Sequence, residues 1–325
     1  MRTTLTEPRG RWWAKRGLRL AFELGQRAGI NVLPRHFYSQ IPEIAHLRRS
    51  TRWRAPRTMV GIRGINLDAQ PEFVFPRVVA TRYFPASPQT SMRLRAAPNG
   101  AVGFGPIESQ FLYCFIASER PSRVVQIGCG VATAVLLRAK EDFEVEMDVI
   151  CVDPYPTDYL RRAAAAGHIT LLAQTAQEVP LGTLTDLGDK GLFFVDSSHT
   201  VKPGSEVNRI ILEVLPRLRA GSWVHYHDIL FPFYYTPGIL LNDLFFWNES
   251  VLLQAFLTCN PHYEIRAALS MLHYERAPEL ARVFPDYRPV RHVDGLATHG
   301  VASGDSSAGH FPTSLYLQVI DECNC

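Results

Sequence analysis

From about residue 101 onward, short apolar runs alternate with stretches of helical periodicity. Seven runs are rich in β-branched and aromatic residues and predict strands at 123–128, 148–153, 169–174, 191–196, 221–229, 263–271 and 314–320. The intervening segments predict helices at 106–118, 131–140, 159–167, 205–218 and 251–260. This alternation is typical of βαβ units, and it predicts an α/β fold with a mainly parallel sheet covered by helices on both faces.

The first hundred residues follow a different pattern. Residues 11–30 have the periodicity of an amphipathic helix, with an apolar line of Trp13, Leu20 and Leu24 and a basic side of Lys15, Arg16, Arg19 and Arg27. Residues 31–44 predict an ordered loop, and residues 45–100 are irregular and rich in arginine and proline. We therefore expect a basic N-terminal extension or cap over 1–100 and the α/β domain over 101–325. A long insertion at 275–312 precedes the last strand, and its Gly/Ser-rich half, 299–309, is expected to move.

Charge is distributed unevenly along the chain. The net charge is +3, yet residues 1–63 hold 13 Arg and 1 Lys against 3 Glu, a net charge of +11 that leaves −8 for the remainder. Such a basic arm predicts contact with an anionic partner, with a membrane surface, or with the acidic body of the protein itself.

Cysteine usage and hydropathy suggest a compartment. The six cysteines are scattered, and none forms a C-x-x-C pair; the terminal Cys323-Asn324-Cys325 is interpreted as a frayed tail. The chain contains no apolar run of 18 or more residues and no signal-peptide pattern. We expect a soluble protein of a reducing compartment, the cytoplasm.

The strand WVHYHDI (223–229) carries polar groups that a buried strand rarely holds. By alternation His225 and His227 share one face of the strand, and Asp228 points away unless the strand has already ended. We interpret His225 as a core histidine. Other polar residues also stand where strands end, at Gly128 and Gly130, Asp153 and Asp196. Because ligands of parallel sheets bind beyond the carboxyl ends of the strands, these positions predict a ligand crevice.

The turn QIGCGVAT (126–133) has the form G-x-G-x-x-T, in which two glycines permit a tight strand-to-helix turn and close approach of a ligand. Asp153 follows the next strand, 25 residues after Gly128. Its carboxylate can accept hydrogen bonds from both hydroxyls of an adenosine ribose, or it can cap the turn DPYP.

The series RVVQIGCG, VICVDPYP, GLFFVDSSHT and WVHYHDI resembles a class I S-adenosylmethionine-dependent methyltransferase over roughly residues 100–260. The branch it resembles has a D-x-x-H motif after the fourth strand and an H-D pair after the fifth. The resemblance implies a seven-stranded Rossmann-like sheet with an antiparallel last strand. It implies S-adenosylmethionine as cofactor, with the glycines at its methionine part, Asp153 at its ribose and residues 174–177 beside its adenine. The expected cofactor-binding residues are Gln126, Gly128, Gly130, Thr133, Asp153, Gln174, Thr175 and Asp196. Gln126 departs from the acidic residue that is common in the family.

Four residues at two strand ends are expected to form the catalytic or metal-binding site. Asp196 and His199 are three apart in a turn, and His227 and Asp228 arrive from the neighbouring strand. Such a set suits a general base, for which we select His199, or a divalent metal with mixed oxygen and nitrogen ligands. Related O-methyltransferases hold magnesium with carboxylates at these strand ends, so the resemblance implies a metal at Asp196, His227 and Asp228. The histidine shifts the preference towards Mn²⁺ or Fe²⁺. The expected catalytic residues are His199, His227 and Asp228.

These observations predict O-methylation of a small acceptor, such as a sugar, a glycoside or another secondary metabolite. The aromatic segments 231–238 and 245–250 could wall its pocket or form a homodimer contact. One alternative is an NAD(P)-dependent oxidoreductase, although Thr133 stands where a dinucleotide site usually has its third glycine. Another is a non-catalytic binder that uses the basic arm on nucleic acid or a membrane surface. The sequence does not identify the acceptor or decide between oxygen and nitrogen as the methylated atom.

Overall fold

The computed structural model describes residues 9–81, 103–284, 287, 292–293, 296–297 and 312–321. The chain divides into two compact units, Met1–His46 and Leu47–Cys325. In the smaller unit, helix α1 spans Arg9–Arg27, as the periodicity predicts. Gly29, two residues beyond its last residue, has a φ of 75° that suits glycine, and the Ile30 amide donates back to the Gly25 carbonyl at 2.9 Å. A loop then leads to helix α2, Ile44–Arg49, which crosses into the larger unit.

The larger unit includes a helix in the segment that the sequence analysis treats as irregular. Helix α3 spans Ala69–Ala80 and contains Pro76. It buries Phe73, Val74 and Val78, and the Phe73 ring lies 5.4 Å from that of Trp223 on the fifth strand. The irregular assignment is wrong here because proline, which lacks an amide proton, masks the helical pattern. The larger unit therefore begins well before residue 100.

The central sheet has seven strands. They are β1 Arg123–Ile127, β2 Asp148–Val152, β3 Thr170–Leu172, β4 Leu192–Val195, β5 Trp223–Tyr226, β6 Tyr263–Ala268 and β9 Leu315–Val319, with the two-residue strands β7 His292–Val293 and β8 Leu296–Ala297 forming a separate pair. The order is β3-β2-β1-β4-β5-β9-β6. Strand β9 runs antiparallel to both of its neighbours, whereas the pairs from β3 to β5 are parallel. The predicted mainly parallel sheet with an antiparallel last strand is confirmed.

Helices cover both faces of this sheet. They are α4 Pro106–Glu119, α5 Val131–Asp142, α6 Asp158–Ala165, α7 Leu181–Thr185, α8 Glu206–Arg209, α9 Glu249–Leu257, α10 Leu269–Glu275 and α11 Ala277–Val283. Helix α8 continues as π and 3-10 turns to Arg217. Neighbouring strand residues pack into different cores: Val124 and Phe194 lie in one cluster, Val125 and Phe193 in the other. This alternation is what a sheet buried on two sides requires.

The structure revises the region around the last two strands. Strand β6 stops at Ala268, so the end of the predicted strand 263–271 is instead the start of α10. The insertion 275–312 begins with α11 and contains β7 and β8. Its Gly/Ser-rich half and the terminal Cys-Asn-Cys lie outside the described residues. No helix in the described ranges combines the length and the apolar character needed to cross a bilayer.

Candidate functional site

The glycine turn after β1 contacts the ends of both neighbouring strands, β2 and β4. Gly128 has a φ of 76°, and a Cβ placed there would lie 1.7 Å from the carbonyl oxygen of Asp196. The carboxylate of Asp153 accepts hydrogen bonds from the amides of Cys129 at 3.0 Å and Tyr155 at 2.8 Å. Asp153 therefore caps its own turn and fixes the glycine turn at the same time.

Two cavities of about 240 Å³ open beside this turn. Gly128 and Asp153 line both of them. The first is also lined by Gly130 and Asp196, and the second by Thr175. Five of the eight expected cofactor residues thus meet at these cavities, although they come from four different strand ends.

The other three expected cofactor residues, Gln126, Thr133 and Gln174, do not line either cavity. Gln126 and Thr133 are completely buried, and the Thr133 hydroxyl donates to the Gln126 side-chain carbonyl at 2.9 Å. The same hydroxyl accepts from the Gly130 amide at 3.3 Å. This pair braces the turn from within, because the Thr133 hydroxyl links the Gln126 side-chain carbonyl to the backbone of the turn.

The predicted catalytic residues converge at the ends of β4 and β5. His227 Nδ1 lies 3.3 Å from Asp196 Oδ1 and 3.6 Å from Asp228 Oδ2. His199 Nε2 lies 3.6 Å from those same two oxygens. Asp228 reaches the crevice because β5 ends at Tyr226 and Asp228 adopts a left-handed φ of 56°. Simple strand alternation, which would direct Asp228 away from His227, fails once the strand has ended.

Two buried carboxylates complete the cluster, and sequence reasoning missed both. Glu249, in the first turn of α9, holds His199 Nδ1 at 2.8 Å through Oε2. The amides of Asn248 and Glu249 also donate to the His199 carbonyl, at 3.0 and 3.1 Å. The start of α9 therefore forms hydrogen bonds with both the backbone and the ring of His199.

Glu108, in the first turn of α4, contacts the ring of His227 as Glu249 contacts that of His199. Its Oε1 lies 3.3 Å from His227 Nε2 and accepts from both the amide and the hydroxyl of Thr313 at 2.8 Å. The Thr313 hydroxyl also lies 3.1 Å from Asp228 Oδ1. The only sequence signal was the spacing of Glu108 from Gly105, which is that of a capping box.

The carboxylates and imidazoles of the cluster shift one another's pKa values. Burial lowers the pKa of His199, but the hydrogen bonds that its ring donates to Asp196 and Glu249, together with the nearby negative charges, outweigh burial and raise that pKa to about 10. Burial likewise opposes protonation of His227, yet Asp228, Asp196 and Glu108 raise its pKa well above the usual range. Burial raises the pKa of Asp196, but the two imidazoles more than offset this, so it falls below its usual range. With four carboxylates around two imidazoles, the crevice favours positive charge.

His225 lies apart from this chemistry. Its ring stacks on Phe194 with centroids 4.1 Å apart, and its Nε2 lies 2.9 Å from the Ser314 hydroxyl. Burial, with the charge of His227, lowers its pKa to about 3 and keeps it neutral. It is a core histidine, as the sequence predicts, and its partner is a serine hydroxyl.

An aromatic wall stands next to His199. The Trp247 ring lies 4.5 Å from the imidazole, and Phe245 stacks on Trp247 at 5.5 Å with nearly parallel planes. Tyr235 meets Trp247 edge-on at 5.3 Å. Phe245 is 51% exposed, so one end of the wall is open to solvent.

Residues 125–229 match the family described as "Methyltransferase domain". They contain the glycine turn and both polar strand ends, and the sheet around them has the seven strands and the antiparallel last strand that the methyltransferase resemblance implies. The chain carries a class I S-adenosylmethionine-dependent methyltransferase domain. This assignment replaces the NAD(P)-dependent oxidoreductase alternative.

The chain is also similar to one curated protein and to several solved structures. An uncharacterized protein of Archaeoglobus fulgidus is 27% identical over 183 residues, which cover 54% of this chain and 80% of that protein. Among solved structures, an O-methyltransferase from Bacillus cereus in complex with SAH is 14% identical, with a TM-score of 0.40 over 76% of this chain and 96% of that one. An SAH-bound methyltransferase of Podospora anserina is 16% identical, with a TM-score of 0.35 over 72% of this chain and 92% of that one.

Proposed function

We propose that this methyltransferase transfers the methyl group of S-adenosylmethionine to a hydroxyl oxygen of a small acceptor. One observation carries the proposal. Asp196 lines the cavity beside the glycine turn and also lies within 3.6 Å of both imidazoles. A cofactor in the cavity would therefore place its methyl group next to groups that bind and deprotonate a hydroxyl.

The cofactor would be held by the residues around the two cavities. Gly128 and Gly130 leave room for the methionine part, and Asp153 retains acceptor capacity for the ribose hydroxyls, since each carboxylate oxygen has a second lone pair. Thr175 and its neighbours would lie beside the adenine. Gln126 and Thr133 would act indirectly by bracing the turn, and Gln174 stays a prediction from the resemblance.

Asp196, His227 and Asp228 are proposed to hold a divalent metal. One donor atom from each lies within 4.8 Å of the others. The donor set fits such an ion, because an excess of carboxylates faces one point and the mixed oxygen and nitrogen chemistry suits Mn²⁺ or Fe²⁺. A bound cation would supply positive charge that stabilises the acceptor as an alkoxide.

His199 is proposed as the base. As the acceptor oxygen attacks the methyl carbon, the carbon–sulfur bond breaks and its electron pair stays on sulfur. The hydroxyl proton passes to Nε2 of His199, which requires the imidazole to be neutral with its own proton on Nδ1, donated to Glu249. Positive charge at Asp196 and Asp228 would favour this neutral form, since those carboxylates otherwise raise the pKa of His199.

The aromatic wall supports an acceptor that has a ring. Trp247 and Phe245 present flat faces next to His199, and such faces stack on sugars and on aromatic rings alike. A sugar, a glycoside or another cyclic metabolite with a free hydroxyl fits this wall.

The first experiment is calorimetric titration of the purified protein with S-adenosylmethionine, repeated on Asp153→Ala. We expect binding by the wild type and a loss of at least about tenfold in affinity for the variant, the scale of one or more lost charge-assisted hydrogen bonds. Absence of wild-type binding, with or without Mn²⁺, would refute the proposal.

Transfer is then measured with methyl-labelled cofactor and a panel of sugars, glycosides and phenols. We expect activity to require Mn²⁺ or Fe²⁺, to vanish with a chelator, and to be lost in His199→Ala. His168→Ala is the matched control, because His168 is an exposed histidine at the end of α6, away from both strand ends. Activity that survives the chelator would refute the metal, and activity that survives His199→Ala would refute the base.

A further inference from the structure

The smaller unit exposes an unusual concentration of apolar side chains. Sixteen large hydrophobic residues are exposed in the described part of the chain, and nine of them lie between residues 18 and 41. Leu20 and Leu24 on α1 are 57% and 52% exposed, and Phe37 in the following loop is 94% exposed. Folding of the unit alone therefore leaves a broad apolar surface uncovered, and such surfaces mark interaction sites.

The apolar residues of α1 form one side of the helix. At 100° per residue, Leu18, Leu20, Phe22 and Leu24 fall within a single arc, together with glycines and alanines. Arg19, Arg27 and Glu23 fall on the opposite arc. Both Leu20 and Arg19 remain exposed, so the helix presents an apolar side and a polar side to its surroundings.

The polar side is strongly basic. The described basic side chains of α1, Arg19 and Arg27, both lie on this side and are exposed. Its one acidic residue, Glu23, already forms an ion pair with Arg19 at 2.7 Å, and the sequence of the helix holds four further Arg and Lys residues. In the loop, Glu43 is paired with Arg35 at 2.6 Å. With both described acids of the unit neutralised internally, the net charge that it presents outward is positive.

We propose that this unit docks on a membrane surface with anionic headgroups. Helix α1 would lie in the interfacial plane, with its leucines at the acyl boundary and its basic residues among the headgroups. Phe37 and Tyr38 are neighbours in a turn with rings 5.3 Å apart, and Tyr38 is 83% exposed. Aromatic side chains of this kind settle at the membrane–water boundary.

A bilayer fits this surface better than a second copy of the chain does. A second smaller unit would bring the same positive charge to the contact and would repel the first. The exposed large hydrophobics described in the larger unit are mostly single, at Val60, Val79, Tyr155, Leu212 and Val251, with one adjacent pair at Leu244–Phe245. A bilayer with anionic headgroups offers an apolar layer and negative charge together, as a basic amphipathic helix requires.

The test is sedimentation of the full chain with phosphatidylcholine vesicles, prepared with and without phosphatidylglycerol. We expect binding at least about tenfold tighter to the anionic vesicles, falling as salt is raised. The double variant Leu20→Glu, Leu24→Glu should lose this binding. The matched control is Val60→Glu, Leu212→Glu, which changes the net charge equally at two exposed sites of the larger unit and should bind like the wild type.

Cofactor titration of each variant shows whether the larger unit is intact, so vesicle binding is scored independently of methyl transfer. The proposal is overturned if the wild type binds neither kind of vesicle or both equally, or if the α1 variant still binds. It is also overturned if light scattering shows a dimer that the α1 substitutions dissociate while vesicles capture nothing, because a second copy would then cover this surface.

Discussion

At the scale of single residues, the candidate site consists of six polar side chains that meet in one crevice. Asp196, His199, His227 and Asp228 stand beyond two parallel strands, and Glu108 and Glu249 enter from the first turns of two helices. Each imidazole has one nitrogen facing a fully buried carboxylate of a helix, and its other nitrogen near the two partly buried aspartates. This arrangement fixes the orientation of both rings before any ligand arrives.

The two glycines of the turn are expected to respond differently to alanine. Gly128→Ala should destabilise the fold by about 1–3 kcal/mol, because its Cβ would collide with the Asp196 carbonyl and its φ is left-handed. Gly130→Ala should cost less stability, since no protein atom lies within 4 Å of its added Cβ. Both should weaken cofactor binding. Urea unfolding measures the loss of stability, and calorimetric titration measures the loss of cofactor affinity. Equal losses of stability in both variants would contradict the steric role given to Gly128.

Glu249 is expected to act as a positioning residue for His199. Glu249→Gln keeps the side-chain volume but weakens the hydrogen bond with His199 Nδ1, so methyl transfer should slow by about tenfold to a hundredfold. Cofactor affinity should remain as in the wild type, and the pH profile of the rate should shift. Glu213→Gln, at a half-exposed position of the turns that follow α8, is the control. A parallel fall of melting temperature and cofactor affinity would instead show a purely structural role.

Glu108 is expected to support the metal in the same way through His227. Glu108→Gln preserves the capping box of α4, because glutamine serves there as well as glutamate. The affinity for Mn²⁺ should nevertheless fall by about tenfold to a hundredfold, since the charge that orients His227 is removed. Metal titration monitored by calorimetry measures this, and an unchanged Mn²⁺ affinity would argue against His227 as a ligand.

At the scale of elements, α3 ties the N-terminal part of the larger unit to the sheet. Phe73 packs against Phe111 on α4 and Trp223 on β5. Phe73→Ala should destabilise the protein by about 3–5 kcal/mol, whereas Val79→Ala on the same helix, 59% exposed, should stay within about 0.5 kcal/mol. Urea denaturation followed by circular dichroism distinguishes the two. A small effect of Phe73→Ala would mean that α3 is peripheral.

At the scale of the whole molecule, two units of opposite character share one chain. A chain that begins at Leu47 should fold and bind S-adenosylmethionine with wild-type affinity, because the larger unit holds every residue of the crevice. A chain that begins at residue 101 should fail to fold, since it lacks the buried residues of α3. Thermal unfolding and cofactor titration of both truncations test the proposed division into a basic extension and a methyltransferase domain. Loss of cofactor binding in the Leu47 truncation would contradict it.

The sequence by itself determined the sheet, the helices that cover it and the strand ends at which the chemistry collects. It could do so because burial imposes a period of two on strands and 3.6 on helices, and because parallel strands deliver their carboxyl ends to one edge. Only the tertiary structure decided that Glu108 and Glu249 belong to the site, since a local pattern does not record which buried acid faces which imidazole. It also decided that Asp228 turns into the crevice, through a strand ending that alternation cannot show, and that α3 is helical despite Pro76, because packing on the sheet outweighs propensity.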